Sequence, residues 1–84
     1  MRRAYTTGEA AKIAGVTQKT IIAQCNRGEL KHWKVPGSDH RRIERIELVR
    51  WMAANGMPLT GLGNLSEDER GVVAADAEAK GGAA

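Results

Sequence analysis

With 84 residues, three aromatics (Tyr5, Trp33, Trp51), no Phe and an apolar content that leans on Ala, the chain has room for one domain with a small, modestly stable core. Such a core excludes a deep substrate cavity, and a single Cys25 with two scattered histidines excludes an intrachain disulfide and a zinc-type ligand cluster, so no metal and no cofactor is expected. The net charge of +3 is split: residues 1 to 56 carry eleven Lys/Arg against five Asp/Glu, and residues 57 to 84 carry two against five. A basic part followed by an acidic tail suits a polyanion partner for the first part, although a merely solvated basic surface gives the same count.

Met1 to Ala14 holds two arginines but no apolar run long enough for a signal-peptide core or a membrane span. The expected compartment is a reducing cytoplasm, in association with the nucleoid, without membrane contact.

In chain order, Thr6-Thr7-Gly8-Glu9 has the form of a capping box, Thr6 accepting from the Glu9 amide while Glu9 reaches back. The first helix is predicted to start there, with Ala10, Ile13 and Ala14 on one face, and to close at Gly15-Val16, where Gly tolerates a left-handed helix end. Thr17 then caps a second helix with Ile21 and Cys25 one turn apart, ending at Gly28. Two short helices joined by a tight Gly-containing turn match a helix-turn-helix.

Leu30 to Val35 alternates loosely as a short strand, Pro36-Gly37-Ser38-Asp39 reads as a turn, and His40 to Glu44 as the returning strand. This hairpin carries Arg41 and Arg42 near its tip. From about Arg45, Ile46, Val49 and Trp51 or Met52 recur at helical spacing until Asn55-Gly56, a third helix with Pro58 just beyond it. Leu59 to Asn64 reads as a linker. Ser66-Glu67-Asp68-Glu69 then caps a candidate fourth helix running to Ala79 before Gly81-Gly82, with Leu65, Val72 and Val73 as a thin apolar stripe. The expected fold is mainly α with a small β-hairpin: a winged helix-turn-helix of three helices plus wing over residues 1–58, then a flexible or marginally helical acidic tail over 59–84 that can be removed without unfolding the rest. The alternative for the tail is a helix that binds a partner or self-associates.

The chemistry is concentrated at two places. Lys19 in the first turn of the second helix opposes the helix dipole, a mildly unfavourable placement that a phosphate or the major groove would offset, and Gln18 and Thr20 suit the same surface. A solvated first turn in which Lys19 does nothing is the alternative. His40-Arg41-Arg42 after the turn places like charges in series, which gains nothing for folding and suits phosphates or a narrow minor groove.

Tyr5-Thr6-Thr7-Gly8-Glu9-Ala10-Ala11, Gly15-Val16-Thr17, Gly28-Glu29-Leu30 and Pro36-Gly37-Ser38-Asp39-His40-Arg41-Arg42-Ile43, in that order over residues 5 to 58, resemble the MerR-like and excisionase-like winged helix-turn-helix. The resemblance implies that the second helix enters the major groove, with Gln18, Lys19, Thr20, Ile22 and Ala23 at bases or phosphates, and that Arg41 and Arg42 are wing contacts. Thr7, Thr17 and Arg27 around the two helices, and Lys34, Ser38 and His40 on the wing, complete the candidate DNA surface. Many relatives have an aromatic at the position of Gln24 and a basic or polar residue at that of Ala23, so this helix is expected to make fewer polar base contacts, with Ile22 against a thymine methyl. The family's dimeric regulators follow the winged domain with a long coiled coil, for which residues 59 to 84 have no room.

Trp33 and Trp51 are read as core or wing-packing residues rather than base-stacking platforms, and Cys25 as a small buried hydrophobe. His32 and His40 have no nucleophile or carboxylate at a catalytic spacing, so no enzyme activity is expected. The implied function is sequence-specific duplex-DNA binding in transcription regulation, with two alternatives: a recombination directionality factor, and a protein-interaction adaptor without DNA binding. Cooperative self-association on DNA and a protein partner for the tail are the expected further contacts.

Overall fold

The computed structural model describes residues 4–81, with side chains described as far as residue 75. Strand β1 (Ala4–Thr6) leads into helix α1 (Thr7–Ala14), and both halves of the capping box form: Glu9 N donates to Thr6 Oγ1 at 3.1 Å and Thr6 N donates to Glu9 Oε1 at 3.0 Å. At the other end Gly15 adopts φ 75°, left-handed backbone that favours glycine, and the Gly15 and Val16 amides both donate to the Ala11 carbonyl. The chain therefore reverses within three residues into helix α2 (Gln18–Asn26), capped by Thr17 and C-capped by Arg27.

Strands β2 (Trp33–Lys34) and β3 (Arg41–Glu44) form the wing, and helix α3 (Arg45–Ala54) follows β3 without a linker. The hairpin is shorter than predicted: its first strand is only Trp33–Lys34, and Leu30, outside the strand, is buried in the core. The sheet also holds a strand that sequence reading did not supply. Its order is β1-β3-β2, all antiparallel, with Tyr5 opposite Ile43. Three residues are too few to show a period of two, so β1 is defined only by its distant partner.

The core is made by Tyr5, Ala10, Ala11, Ile21, Cys25, Leu30, Ile43, Leu48, Val49, Trp51, Met52 and Leu62. Ile21 and Cys25 pack as expected; on α3 the buried stripe is Leu48, Val49, Trp51 and Met52, with Ile46 only half-buried. Burial pushes the Cys25 thiol above its usual range, an effect that the nearby Arg41 charge partly opposes.

Residues 59 to 64, read from sequence as a linker, contain a 3-10 turn α4 (Thr60–Leu62) packed on α1. Leu62 is buried, and a Cβ added at Gly61 would fall on the backbone carbonyl of Ile13, so the approach of this turn to α1 requires glycine. Helix α5 (Glu67–Gly81) follows, with Ser66 and Glu69 exchanging capping hydrogen bonds as the sequence suggested, and it lies against α3. Leu65, Val72 and Val73 pack against the core. The predicted Gly81-Gly82 stop falls partly outside the described residues, since Gly82 lies beyond them.

Candidate nucleic-acid interface

The first turn of α2 is braced from two sides. Thr17, in extended backbone, accepts from the Thr20 amide at 3.2 Å, and its hydroxyl shares a 2.9 Å hydrogen bond with that of Thr20. The cap satisfies one of the free amides of the helix start and leaves others open. Gln18 Nε2 donates to Thr7 Oγ1 at 2.8 Å, tying the first turn of α2 to the first turn of α1. Two predicted site residues thus bond to each other. Lys19 is exposed and without a hydrogen-bond or ion-pair partner among the described residues, while Ile22 and Ala23, on the same helix, are half-buried. Arg27 ends the helix: its amide donates to the Ala23 carbonyl, and its side chain is exposed.

The wing's tip is held by its own short bonds. Val35 N donates to His40 O at 2.8 Å, and Ser38 Oγ donates to Val35 O while accepting from His40 N. Ser38 is therefore a turn-forming residue, and the exposed His40 side chain extends beyond it. On β3, alternation puts Arg41 on the face of Ile43 and Arg42 on the opposite face. Arg41 Nη2 donates to Asn26 Oδ1 at 2.7 Å, closing the wing onto the C-terminal end of α2, while its buried Nε has no partner among the described residues. Lys34 is its direct cross-strand neighbour. Like charges so placed repel, a cost that an anion between them would relieve. Arg42 lies between Thr6 and Trp33 in the sheet, half-buried, with Nη1 donating to the Arg41 carbonyl.

The adjacent arginines that sequence treats as one pair are thus two separate features. Arg41 belongs to the α2 side of the wing and Arg42 to its outer side. The two tryptophans also part: Trp51 is 7% exposed in the core, whereas Trp33 is 44% exposed on the wing, its Nε1 donating to Glu44 Oε1 at 3.2 Å. Of the two alternatives read from sequence, core or wing-packing, Trp51 takes the first, and Trp33 lies on the wing outside the core. Two residues that sequence reading did not place in the site join it, Asn26 through Arg41 and Glu44 through Trp33; the period of two along β3 separates the faces of Arg41 and Arg42, but no local signal names these partners.

Among the described residues the ion pairs are Arg45–Glu69, between α3 and α5, and Arg50–Glu47, within α3. Lys19, Arg27, Lys34, Arg41 and Arg42 have none, so the charge of α2 and the wing is uncompensated by carboxylates. No group of three His, Cys, Asp or Glu among them is placed to hold a metal ion, and no helix is long and apolar enough to cross a membrane.

A tripartite helix-turn-helix core with a basic hairpin set beside its second helix defines the class: a winged helix-turn-helix, a DNA-binding fold. The family described as "Helix-turn-helix domain" matches residues 4–56, and the chain belongs to this excisionase-like helix-turn-helix family. No curated protein and no solved structure matches it. Family membership supports binding to double-stranded DNA.

Proposed function

We propose that the chain is a sequence-specific duplex-DNA binder acting in transcription regulation, with the N-terminal turn of α2 in the major groove and the wing on the backbone or minor groove. The observation that carries this reading is the row of cations without carboxylate partners, from Lys19 and Arg27 on α2 to Lys34, Arg41 and Arg42 on the wing. Phosphates supply the missing counter-charge, and the open amides of the α2 N-terminus add donors for the same groups. Thr7, Thr17 and Gln18 set the pitch of α2, Lys19 and Thr20 face the groove, Ile22 and Ala23 offer apolar contact to thymine methyls, and Ser38 and His40 shape the wing tip.

A second reading within DNA biology, a recombination directionality factor that coats or bends attachment-site DNA, is compatible with the same family membership. In either role short chains assemble head to tail on direct repeats, and the tail is the surface left for a protein partner. Selection of bound sites from a random duplex pool tests the proposal: an enriched motif, with its repeat orientation and the stoichiometry of the complexes, is expected, and an unenriched pool would remove sequence specificity.

A further inference from the structure

We propose that Trp33 is an apolar DNA contact of the wing, its indole laid against a deoxyribose beside a phosphate held by Arg42. The inference rests on the DNA-binding reading above and adds to it an uncharged contact. Trp33 is the large hydrophobic residue left exposed among the described residues, and Arg42, its direct partner across the sheet, lies on the same face, whereas Lys34, next to it in β2, belongs with Arg41 to the opposite one. Cross-strand neighbours hold their Cβ atoms about 4.5–5.5 Å apart, so ring and guanidinium share one surface. Thr6 lies on the far side of Arg42, and Trp33 stays partly open to solvent.

The bond from Trp33 Nε1 to Glu44 Oε1 decides what kind of contact the ring makes. It consumes the one donor of the indole and fixes the ring, leaving the apolar faces and edge to a partner. In a duplex the bases are stacked and paired, and the apolar surface that lies at the level of the phosphates is the sugar. Glu44 is also the N-cap residue of α3, where the positive end of the helix dipole offsets its charge near DNA. A pre-ordered ring loses little freedom on binding, which favours affinity without reading sequence.

The test uses the whole chain and a duplex of about 25 base pairs, with acrylamide quenching of tryptophan fluorescence, affinity across a salt series, and thermal melts of each free protein. Trp33→Phe leaves Trp51 as the remaining fluorophore and isolates the Trp33 signal by difference. The proposal predicts that Trp33 is open to acrylamide in the free protein and shielded in the complex. Trp33→Ala should weaken binding roughly tenfold, Trp33→Phe by less, both with an unchanged slope of affinity against salt, because the ring neutralises no phosphate. Unchanged quenching on binding together with unchanged affinity of Trp33→Ala overturns the inference while leaving DNA binding intact. A shallower salt slope in Trp33→Ala overturns it too, since the ring would then act by positioning Arg42. Failure of the wild type to bind at low salt overturns the DNA-binding reading itself, and this inference with it.

Discussion

Arg45 and Glu69 are separated by twenty-four residues in sequence, and Arg45 Nε donates to Glu69 Oε2 at 2.7 Å in the interior. The same guanidinium donates to Tyr5 Oη at 2.8 Å, to Leu62 O at 2.9 Å and to Asn64 O at 3.1 Å, so one side chain joins β1, α3, the 3-10 turn and α5. Glu69 in turn caps its own helix by accepting from Ser66 N. Removing one partner leaves the other charge buried and unpaired, which typically costs about 3–5 kcal/mol. Arg45→Met is therefore expected to lower the melting temperature of the whole domain by many degrees, and a shift within error of zero would show that the network is not formed in solution.

The same pair gives an acid dependence. Its hydrogen bond from Arg45 holds the Glu69 carboxyl below the usual carboxylate range, against the opposing effect of burial. A carboxyl with a lowered pKa in the folded state contributes stability that is present above its unfolded value and lost as pH falls through the folded one. Melting temperature should drop as pH is lowered from neutrality through the carboxylate range. Glu69→Gln should flatten part of that drop, and identical pH profiles would contradict the assignment.

Truncation tests where the folded unit ends. Sequence alone makes residues 59 to 84 dispensable for folding; the burial of Leu62 and the four-way bonding of Arg45 predict instead that deleting them lowers stability. Circular dichroism melts of the shortened chain should show a lower, broader transition. An unchanged transition would restore the boundary at residue 58.

Gly61→Ala is a point test of the same packing. The added methyl meets the Ile13 carbonyl, backbone that cannot rotate aside, and overpacking of this kind costs about 1–3 kcal/mol. Gly71→Ala, where nothing lies near the new methyl, is the control and should leave the melting temperature level or slightly raised.

How much of this was legible in the sequence follows from the range of each interaction. The Thr6–Glu9 capping box, the Gly15 turn, the Thr17 cap and the Pro36 to Asp39 turn are made by residues within a few positions of one another, and each formed where it was read. Strand β1 and the Arg45 network depend on partners tens of residues away, and nothing beside Tyr5 or Arg45 announces them. At the candidate interface the residue types of α2 and the wing were readable. Their pairing was not: Gln18 with Thr7 and Arg41 with Asn26 arise only when the helices and the hairpin are brought together.

The Gln18–Thr7 bond predicts an indirect effect on recognition. Thr7→Val deletes the acceptor without touching DNA-facing charge, so it should shift site preference modestly, by about 1 kcal/mol, while leaving the salt dependence of binding unchanged. A competition assay between selected duplexes measures this, and an unaltered ranking would make the brace irrelevant to reading.

The most direct test of the central claim is the slope of log affinity against log salt for a duplex, compared between the wild type and the Arg41→Ala/Arg42→Ala double variant, with melts confirming that both are folded. Each phosphate neutralised contributes about −0.9 to that slope. The account predicts a steep negative slope for the wild type and one shallower by about two for the double variant. Absence of wild-type binding at low salt, or equal slopes for the two proteins, would contradict it.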